Sequence, residues 1–153
     1  MPNTHIKIYI HAVFGVKYRN ALIAKNWRST LFSVIGNLIN ETGCKNIIVN
    51  GVEDHVHCLF ELNSNVKISE VLKAIKAKSS KFVNENQLID ERFEWQKGYG
   101  AFSYSHFDLN QAIDYINNQE EHHKKNDFHD EIKQLLFDNN LTYEPVYSFE
   151  ELI

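Results

Sequence analysis

Alternating apolar and polar positions near the start of the chain predict a β-strand over residues 4–14. Ile6, Ile8 and Ile10 fall on one face of this strand, whereas His11 falls on the other, because successive strand side chains point to opposite sides. We therefore expect the first strand of a sheet that has one apolar and one polar face.

Three further strands are predicted from short apolar runs that are separated by turn residues. Residues 44–52 and 100–104 form two of them, and residues 55–62 form the third. In this third strand His55 and His57 share one face. The opposite face carries apolar side chains that we expect in the core, namely Val56, Cys58 and Phe60.

Apolar residues recur at spacings of three and four along four segments, which are predicted helices: residues 22–42, 68–82, 108–125 and 128–137. The third of these helices is expected to begin with a capping box formed by Asp108 and Gln111. The second helix carries several lysines on its outer surface and is the most basic element of the chain.

The order strand, helix, strand, strand, helix, strand and then helices predicts an α+β fold, a ferredoxin-like split βαβ sandwich. The first two helices would cover one face of the antiparallel sheet. The other face would be left for the histidines. A C-terminal helix would carry candidate catalytic residues. We expect a single domain over residues 1–153, in which the acidic segment 139–153 either docks on a neighbour or stays loose.

Composition limits the size of the core and the class of partner. A chain of 153 residues with 43% hydrophobic residues can bury one ordinary core. Its formal net charge of -4 gives no overall basic field, so a polyanion would have to be held by a local patch or a metal. Cys44 and Cys58 do not form a CxxC pair, which indicates reduced thiols and a cytoplasmic protein. We find no signal peptide or membrane span and expect no membrane partner.

The two histidines of the third strand form a candidate metal site. Residues two apart on a strand are roughly 6 to 7 Å apart at their backbones, so His55 and His57 could both reach one divalent ion. They would need a third ligand from another element. Taken alone, the pair is better explained as surface or hydrogen-bonded histidines.

Tyr115 and Gln119 lie four residues apart on the third predicted helix and therefore share one of its faces. A glutamine carbonyl can bind a hard cation, and a tyrosine phenol can act as a covalent nucleophile. A metal held by His55, His57 and Gln119 would polarise a phosphodiester that the phenol attacks. The metal or a nearby base must help to remove the phenol proton, because a phenol with its ordinary pKa of about 10 is a weak nucleophile at neutral pH.

Three segments together resemble a known family. DHVH at residues 54–57, WQKGYGAFSYS at residues 95–105 and YINNQEEHH at residues 115–123 resemble the small single-tyrosine transposases of the HUH superfamily, including the REP-associated tyrosine transposases. The resemblance extends from residue 11 to residue 136. A histidine pair alone is weak, but HxH followed by YxxxQ on a late helix is specific.

The resemblance implies a role for each matching residue. His55 and His57 correspond to metal-binding histidines, Gln119 to the side chain that completes the metal site, and Tyr115 to the nucleophile. The family implies a DNA transposase that cleaves and rejoins single-stranded DNA at insertion-sequence ends through a covalent 5′-phosphotyrosine, with Mg²⁺ or Mn²⁺. It also implies subterminal DNA hairpins, a homodimer whose tyrosine helix can serve the partner's site, and no nucleotide cofactor.

Three other functions remain open at this point. The chain could be a domesticated relative that processes chromosomal hairpins, or a hairpin-binding protein without catalytic activity. It could also be a metal-dependent hydrolase of small phosphoesters, which would need the histidines but not the tyrosine.

Several further side chains are candidates for supporting roles. Asp54 either orients a histidine or shapes the turn before the strand. His11 could lie near the site, but we expect a solvated strand histidine. His122 and His123 could contact DNA or a metal, but they better suit a helix C-terminus. The best local patch for DNA phosphates comprises Lys17, Arg19, Lys73, Lys76, Lys78 and Lys81. Trp95, Phe102 and Tyr104 either stack on unpaired bases or pack in the core.

Overall fold

The computed structural model describes residues 4–142 and contains a four-stranded antiparallel sheet. Its strands are β1 (Tyr9–Gly15), β2 (Lys45–Gly51), β3 (His55–Glu61) and β4 (Gly100–Tyr104). They lie in the order β2-β3-β1-β4, and each neighbouring pair is antiparallel. The predicted α+β, ferredoxin-like arrangement of strands is therefore confirmed.

The helices of the described region are α1 (Lys25–Glu41), α2 (Ile68–Glu85), α3 (Leu109–Asn117), α4 (Gln119–Lys125) and α5 (Phe128–Asp138). Short 3₁₀ turns occur at Lys17–Arg19 and His106–Asp108. Within residues 4–142 no helix has the length and apolar character required to cross a membrane.

One face of the sheet forms the main hydrophobic core beneath α1 and α2. Four of the apolar residues assigned to this face from alternation are fully or almost fully buried there, together with Ala12 and Phe14: Ile10, Val56, Cys58 and Phe60. Ile6 and Ile8, assigned to the same face, precede β1 and are each 41% exposed. Both cysteines are free and buried, and burial raises the pKa of the Cys58 thiol above its ordinary value. The period-two pattern of β1 and β3 thus predicted the core face correctly.

The second face of the sheet is also covered. Ala112 and Ile116 of α3 pack against it, and so do the apolar side chains of α5. His11 is consequently 0% exposed, so the expectation of a solvated strand histidine was wrong. Alternation placed His11 on the correct face, but a sheet face stays solvated only where no further layer packs against it.

The first strand is shorter than predicted, because it begins at Tyr9 instead of residue 4. Tyr9 pairs with Glu61 and Tyr104, the last residues of β3 and β4. Residues 4–8 therefore extend past the ends of β3 and β4. The alternation of apolar and polar residues continues through this segment, although the sheet ends at Tyr9.

The predicted third helix is interrupted at Asn118, which has φ of -97° and ψ of 26°. The break separates α3 from α4 and puts Tyr115 and Gln119 on different helices. The predicted capping box at Asp108 was wrong, since this residue makes no side-chain cap and instead accepts a hydrogen bond from Ser105 Oγ at 3.0 Å. The possible docking segment 139–153 lies outside the described residues from 143 onward.

Gly51 closes the turn between β2 and β3, and it allows a test of the fold. A Cβ on Gly51 would collide with the backbone carbonyl of His55, which is part of the hairpin and cannot move independently. We expect Gly51→Ala to lower the free energy of unfolding by about 1–3 kcal/mol, measured by urea denaturation.

Gly36→Ala is the matched control for this substitution. Its Cβ would approach only the amide end of the Asn46 side chain, at 2.8 Å, and that side chain can rotate away. A loss of stability in Gly36→Ala equal to that in Gly51→Ala would contradict the steric explanation.

Candidate active site

His55 and His57 lie on β3, completely buried beneath the helices of the second face. Nδ1 of His55 is 2.7 Å from Asp54 Oδ1, and Nδ1 of His57 is 2.7 Å from His11 Nε2. Because Nδ1 of each ring is already engaged, Nε2 is the nitrogen left to face the interior of the site. Partners of this kind fix the orientation and tautomer of metal-binding histidines.

His11 extends this arrangement to β4. Its Nε2 shares the hydrogen bond with His57, while its Nδ1 lies 3.3 Å from the Tyr104 hydroxyl. Burial lowers the pKa of His11 well below its ordinary value, so the ring is neutral and carries one proton. If His57 Nε2 binds a metal, His57 Nδ1–H donates to His11 and the His11 proton points to Tyr104.

Two further donors face the Nε2 atoms. Gln119, the first residue of α4, is fully buried and places its Oε1 3.2 Å from His55 Nε2. Glu131 of α5 places Oε1 2.5 Å from His57 Nε2 and 3.4 Å from His55 Nε2. The ligand atoms of the two histidines and of Glu131 all lie within 4.8 Å of one another.

The converging donors of this group fit a bound cation. Gln119 Oε1 and Glu131 Oε1 both face the Nε2 atoms of the histidines, and although His57 Nε2 and Glu131 Oε1 lie 2.5 Å apart, neither atom forms a well-aligned hydrogen bond among residues 4–142. Buried polar atoms are normally paired, so nitrogen and oxygen lone pairs that face one another in this way suit a divalent metal between them. A mixed imidazole, amide and carboxylate set is compatible with Mn²⁺ and Mg²⁺.

Without a metal, the site contains an ion pair between His55 and Glu131, and the imidazole of His57 is neutral. Burial opposes a charge on His55, but its hydrogen bonds and charge contacts with Asp54 and Glu131 raise its pKa to about 9. For His57 burial dominates and lowers the pKa. Burial opposes the charge of Glu131 too, yet the two histidines hold the pKa of this carboxylate well below its ordinary value.

Tyr115 lies at the edge of the same cluster, half-buried at the end of α3. Its ring centre is 5.7 Å from that of His57 and 4.7 Å from that of His122. Burial, followed by the charge of Glu131, raises the pKa of the phenol above its ordinary value. The side chain is thus neutral in this state and adjacent to the candidate metal-binding group.

Residues 4–119 match the family described as IS200-like transposases, which is well over half of the chain. The chain belongs to the IS200-like transposase family. The family match ends at Gln119, so α5 and Glu131 lie beyond it.

Two solved structures resemble this transposase in fold. One is a candidate transposase from Deinococcus radiodurans R1, with a TM-score of 0.64 and 19% identity over 78% of this chain and 95% of that chain. The other is a REP-associated tyrosine transposase bound to a REP hairpin, with a TM-score of 0.57 and 18% identity over 80% of this chain and 73% of that chain. No curated protein sequence matches this chain.

The sequence pattern did not identify Glu131, although it contained a signal. In α5, Phe128, Ile132 and Leu135 form the buried stripe, and Glu131 falls inside that stripe and is also buried. A carboxylate within the apolar stripe of a helix needs a buried partner. The pattern of α5 therefore marks Glu131 as a carboxylate with a buried partner, without identifying that partner.

The predicted DNA-binding cations do not lie in the histidine cluster. Lys17 pairs with Glu94 at 3.0 Å, and Lys76 donates to the carbonyls of Gln96 and Gly98 at 2.7 and 2.8 Å. Lys73 and Lys78 are exposed, Lys81 pairs with Glu85, and Arg19 is half-buried. Trp95 and Phe102 pack in the core.

The metal-free site predicts a specific pH dependence of stability. Because the pKa of His55 is raised to about 9, its stabilising charge interactions are complete below about pH 6.5 and are lost as pH rises through 9. In EDTA we expect the free energy of unfolding to fall by about 2–3 kcal/mol over this interval, measured by urea titration. His55→Gln should remove this slope, and an equal slope in both proteins would contradict the pKa assignment.

Metal binding gives a second test. Mn²⁺ at about 100 times its dissociation constant should stabilise the folded protein by about 2.7 kcal/mol, seen as a rise in melting temperature. His57→Ala should abolish this rise, whereas replacement of the exposed His5 by alanine should preserve it. A rise of unchanged size in His57→Ala would show that the metal binds elsewhere.

Proposed function

We propose that this transposase cleaves and rejoins single-stranded DNA through a covalent 5′-phosphotyrosine at Tyr115, with a divalent metal. The observation that supports this most directly is the position of Tyr115, whose ring centre is 5.7 Å from that of His57. A phenol beside a group of converging metal donors has the geometry required for attack on a polarised phosphodiester.

In this proposal His55, His57 and Gln119 hold Mg²⁺ or Mn²⁺, and Glu131 is an additional donor as long as α5 is docked on the sheet. The bound metal would act as a Lewis acid on the scissile phosphate. Asp54 and His11 orient the two imidazoles through the 2.7 Å contacts to their Nδ1 atoms. This favours an orienting role for Asp54, for which the sequence left two roles open.

Each step of the proposed reaction breaks one phosphate ester bond and forms another. The Tyr115 oxygen forms a bond to phosphorus and the bond to the 3′ oxygen breaks, leaving a 3′ hydroxyl and a 5′ phosphate joined to tyrosine. The proton of the phenol leaves as the phosphorus bond forms, and the departing 3′ oxygen gains a proton. Rejoining reverses this exchange with a new 3′ hydroxyl, so no nucleotide cofactor is consumed.

Tyr115 acts in its own subunit in this proposal, because α3 and α4 are fixed to the body of the same chain. Asn50 Nδ2 donates to the Ile116 carbonyl at 2.8 Å, next to Tyr115 in sequence. On α4, His123 Nε2 lies 2.7 Å from Glu53 Oε1 in the turn before β3. These contacts support catalysis in cis, and they are compatible with the proposed homodimer.

The proposed DNA partner carries hairpins near the cleavage position. One structural neighbour is a REP-associated tyrosine transposase bound to a REP hairpin, which supports a hairpin substrate for this chain. The hairpin would supply a structure that the protein recognises by its shape, and the adjoining single strand would supply an accessible scissile bond.

A hairpin-binding protein without cleavage is the second candidate function, and one observation favours it. His55 and His57 are 0% exposed beneath the second-face helices, and Phe128 of α5 stacks on His55 with ring centres 4.3 Å apart. A DNA strand reaches these histidines after α5 moves away. If α5 never moves, the protein binds DNA but does not cleave it.

Covalent capture of DNA distinguishes these two functions. The purified chain, incubated with labelled single-stranded DNA that carries the element's own end hairpins and Mn²⁺, should give a protein–DNA band on a denaturing gel. Tyr115→Phe should lower the yield of this band at least about 10³-fold, because no other group supplies the attacking oxygen. Tyr99→Phe, at another half-buried tyrosine, is the control and should retain the band. Hairpin binding without any band would support the second candidate.

Co-expression of two inactive variants tests catalysis in cis. Tyr115→Phe combined with His57→Ala should give no covalent band, because in cis neither subunit has both a nucleophile and an intact metal site. Recovery of the band in the mixture would instead demonstrate that Tyr115 serves the partner's site.

A further inference from the structure

An exposed aromatic residue lies between two cations just after β1. Tyr18, in the 3₁₀ turn Lys17–Arg19, is 58% exposed, and Lys17 Nζ lies 5.4 Å from the centre of its ring. Arg19 follows, and its NH1 group is buried without a hydrogen-bond partner among the described residues. Exposed aromatic rings flanked by cations are the usual components of single-stranded nucleic-acid sites.

The backbone of this turn is strained. Tyr18 has φ of 61° and Arg19 has φ of 52°, the left-handed region that residues other than glycine rarely occupy. The turn is held in place because Lys17 N donates to the Glu94 carbonyl at 3.0 Å and Arg19 N donates to the Val16 carbonyl at 2.8 Å. Strain that the surrounding structure maintains is frequently found at binding sites.

A basic cleft of about 340 Å³ opens beside the turn, and its lining includes Lys17, Lys76, Ser80, Arg92, Trp95 and Lys97. The carboxylate in its lining is Glu94, which lies 3.0 Å from Lys17 Nζ and 3.3 Å from Arg92 Nε. The cleft is lined by four cationic side chains and one carboxylate. It is therefore positively charged, although the whole chain has a net charge of -4. This local charge complements a phosphate backbone.

The turn adjoins the candidate active site through the backbone. Gly15, the last residue of β1, is paired with His55, and Val16 N donates to the Asp54 carbonyl at 2.8 Å. Tyr18 follows Val16 by two residues, so the turn lies at the end of the sheet where His55 begins β3. The cleft lies on the α2 side of this end, where Lys76 and Ser80 line it, and a DNA strand bound at the histidines would pass around the end of the sheet to reach it.

We propose that the turn Lys17–Arg19 and this cleft, together called the flank site, bind the single-stranded DNA beside the cleavage position. Tyr18 stacks on an unpaired base, and Arg92 and Lys97 contact the adjoining phosphates. Lys76 positions the segment that carries Lys97, since its amine is held by the carbonyls of Gln96 and Gly98. The flank site rests on the proposed function, because that function supplies the single strand.

Binding of a fluorescein-labelled oligo(dT) 20-mer in EDTA tests the flank site without cleavage. Tyr18→Ala should weaken binding by roughly tenfold, because stacking on one base is lost, whereas Tyr18→Phe should stay within about twofold. Arg92→Gln and Lys97→Gln should each reduce the slope of log affinity against log salt concentration by about 0.7. Fluorescence anisotropy at several salt concentrations measures both quantities.

Lys45→Gln is the matched control for charge. Lys45 is exposed on β2 and is paired with Glu61, at the end of the sheet opposite His55. The flank site is overturned if Lys45→Gln reduces the salt slope as much as Arg92→Gln, or if Tyr18→Ala binds as tightly as the unmutated chain. Circular dichroism melting curves verify that each variant is folded, and the surface substitutions at Arg92 and Lys97 test the proposal independently of Tyr18.

Covalent capture separates this proposal from the proposed function. If Tyr115 forms the adduct but Tyr18→Ala and the charge variants bind normally, the flank site is wrong and the proposed chemistry stands. If the variants weaken binding as expected but no adduct forms, the flank site stands and the proposed chemistry is wrong.

Discussion

The second face of this protein depends on the burial of two imidazoles opposite a carboxylate. A buried charge is strongly unfavourable unless it is paired, and His55, Glu131 and Asp54 satisfy this requirement together. Because Glu131 lies on α5 and His55 on β3, the pairing also attaches the last described helix to the sheet. The interaction that stabilises the second layer therefore uses the same atoms that a metal would bind.

Most of the fold could be predicted because its signals are local. The period-two alternation of Ala12, Val56 and Cys58 identifies the core face without reference to the rest of the chain. The end of β1 at Tyr9 could not be predicted in this way, since it depends on where β3 and β4 end. The break at Asn118 is likewise set by docking of α3 and α4 on the sheet, which propensity does not encode.

The candidate site was predicted in part for similar reasons. Spacing along the sequence places four residues together once a strand and a helix meet. The structure does bring all four together, namely His55, His57, Gln119 and Tyr115. Glu131 was missed because its helix follows the YxxxQ segment and has no fixed spacing from the histidines. The pattern of α5 alone marks Glu131 as unusual, but only the tertiary contact identifies its partner.

The position of α5 affects both the stability of the fold and the access of DNA to the histidines. Its apolar residues pack on the sheet, and Phe128 stacks on His55, so the resting state protects the histidines from solvent. The same packing keeps a DNA strand from the Nε2 atoms, so the proposed cleavage would require displacement of α5. By contrast, Tyr115 lies at the edge of the cluster and is half-buried, which leaves the proposed nucleophile closer to solvent than the candidate metal donors.

Peptide mapping of the covalent product tests the central claim most directly. After reaction with single-stranded hairpin DNA in Mn²⁺, nuclease and protease digestion would leave a nucleotide remnant on one peptide, which mass spectrometry can locate. The account predicts a 5′-phosphate linkage on Tyr115. A remnant on Tyr18, Tyr104 or a residue other than tyrosine would contradict it.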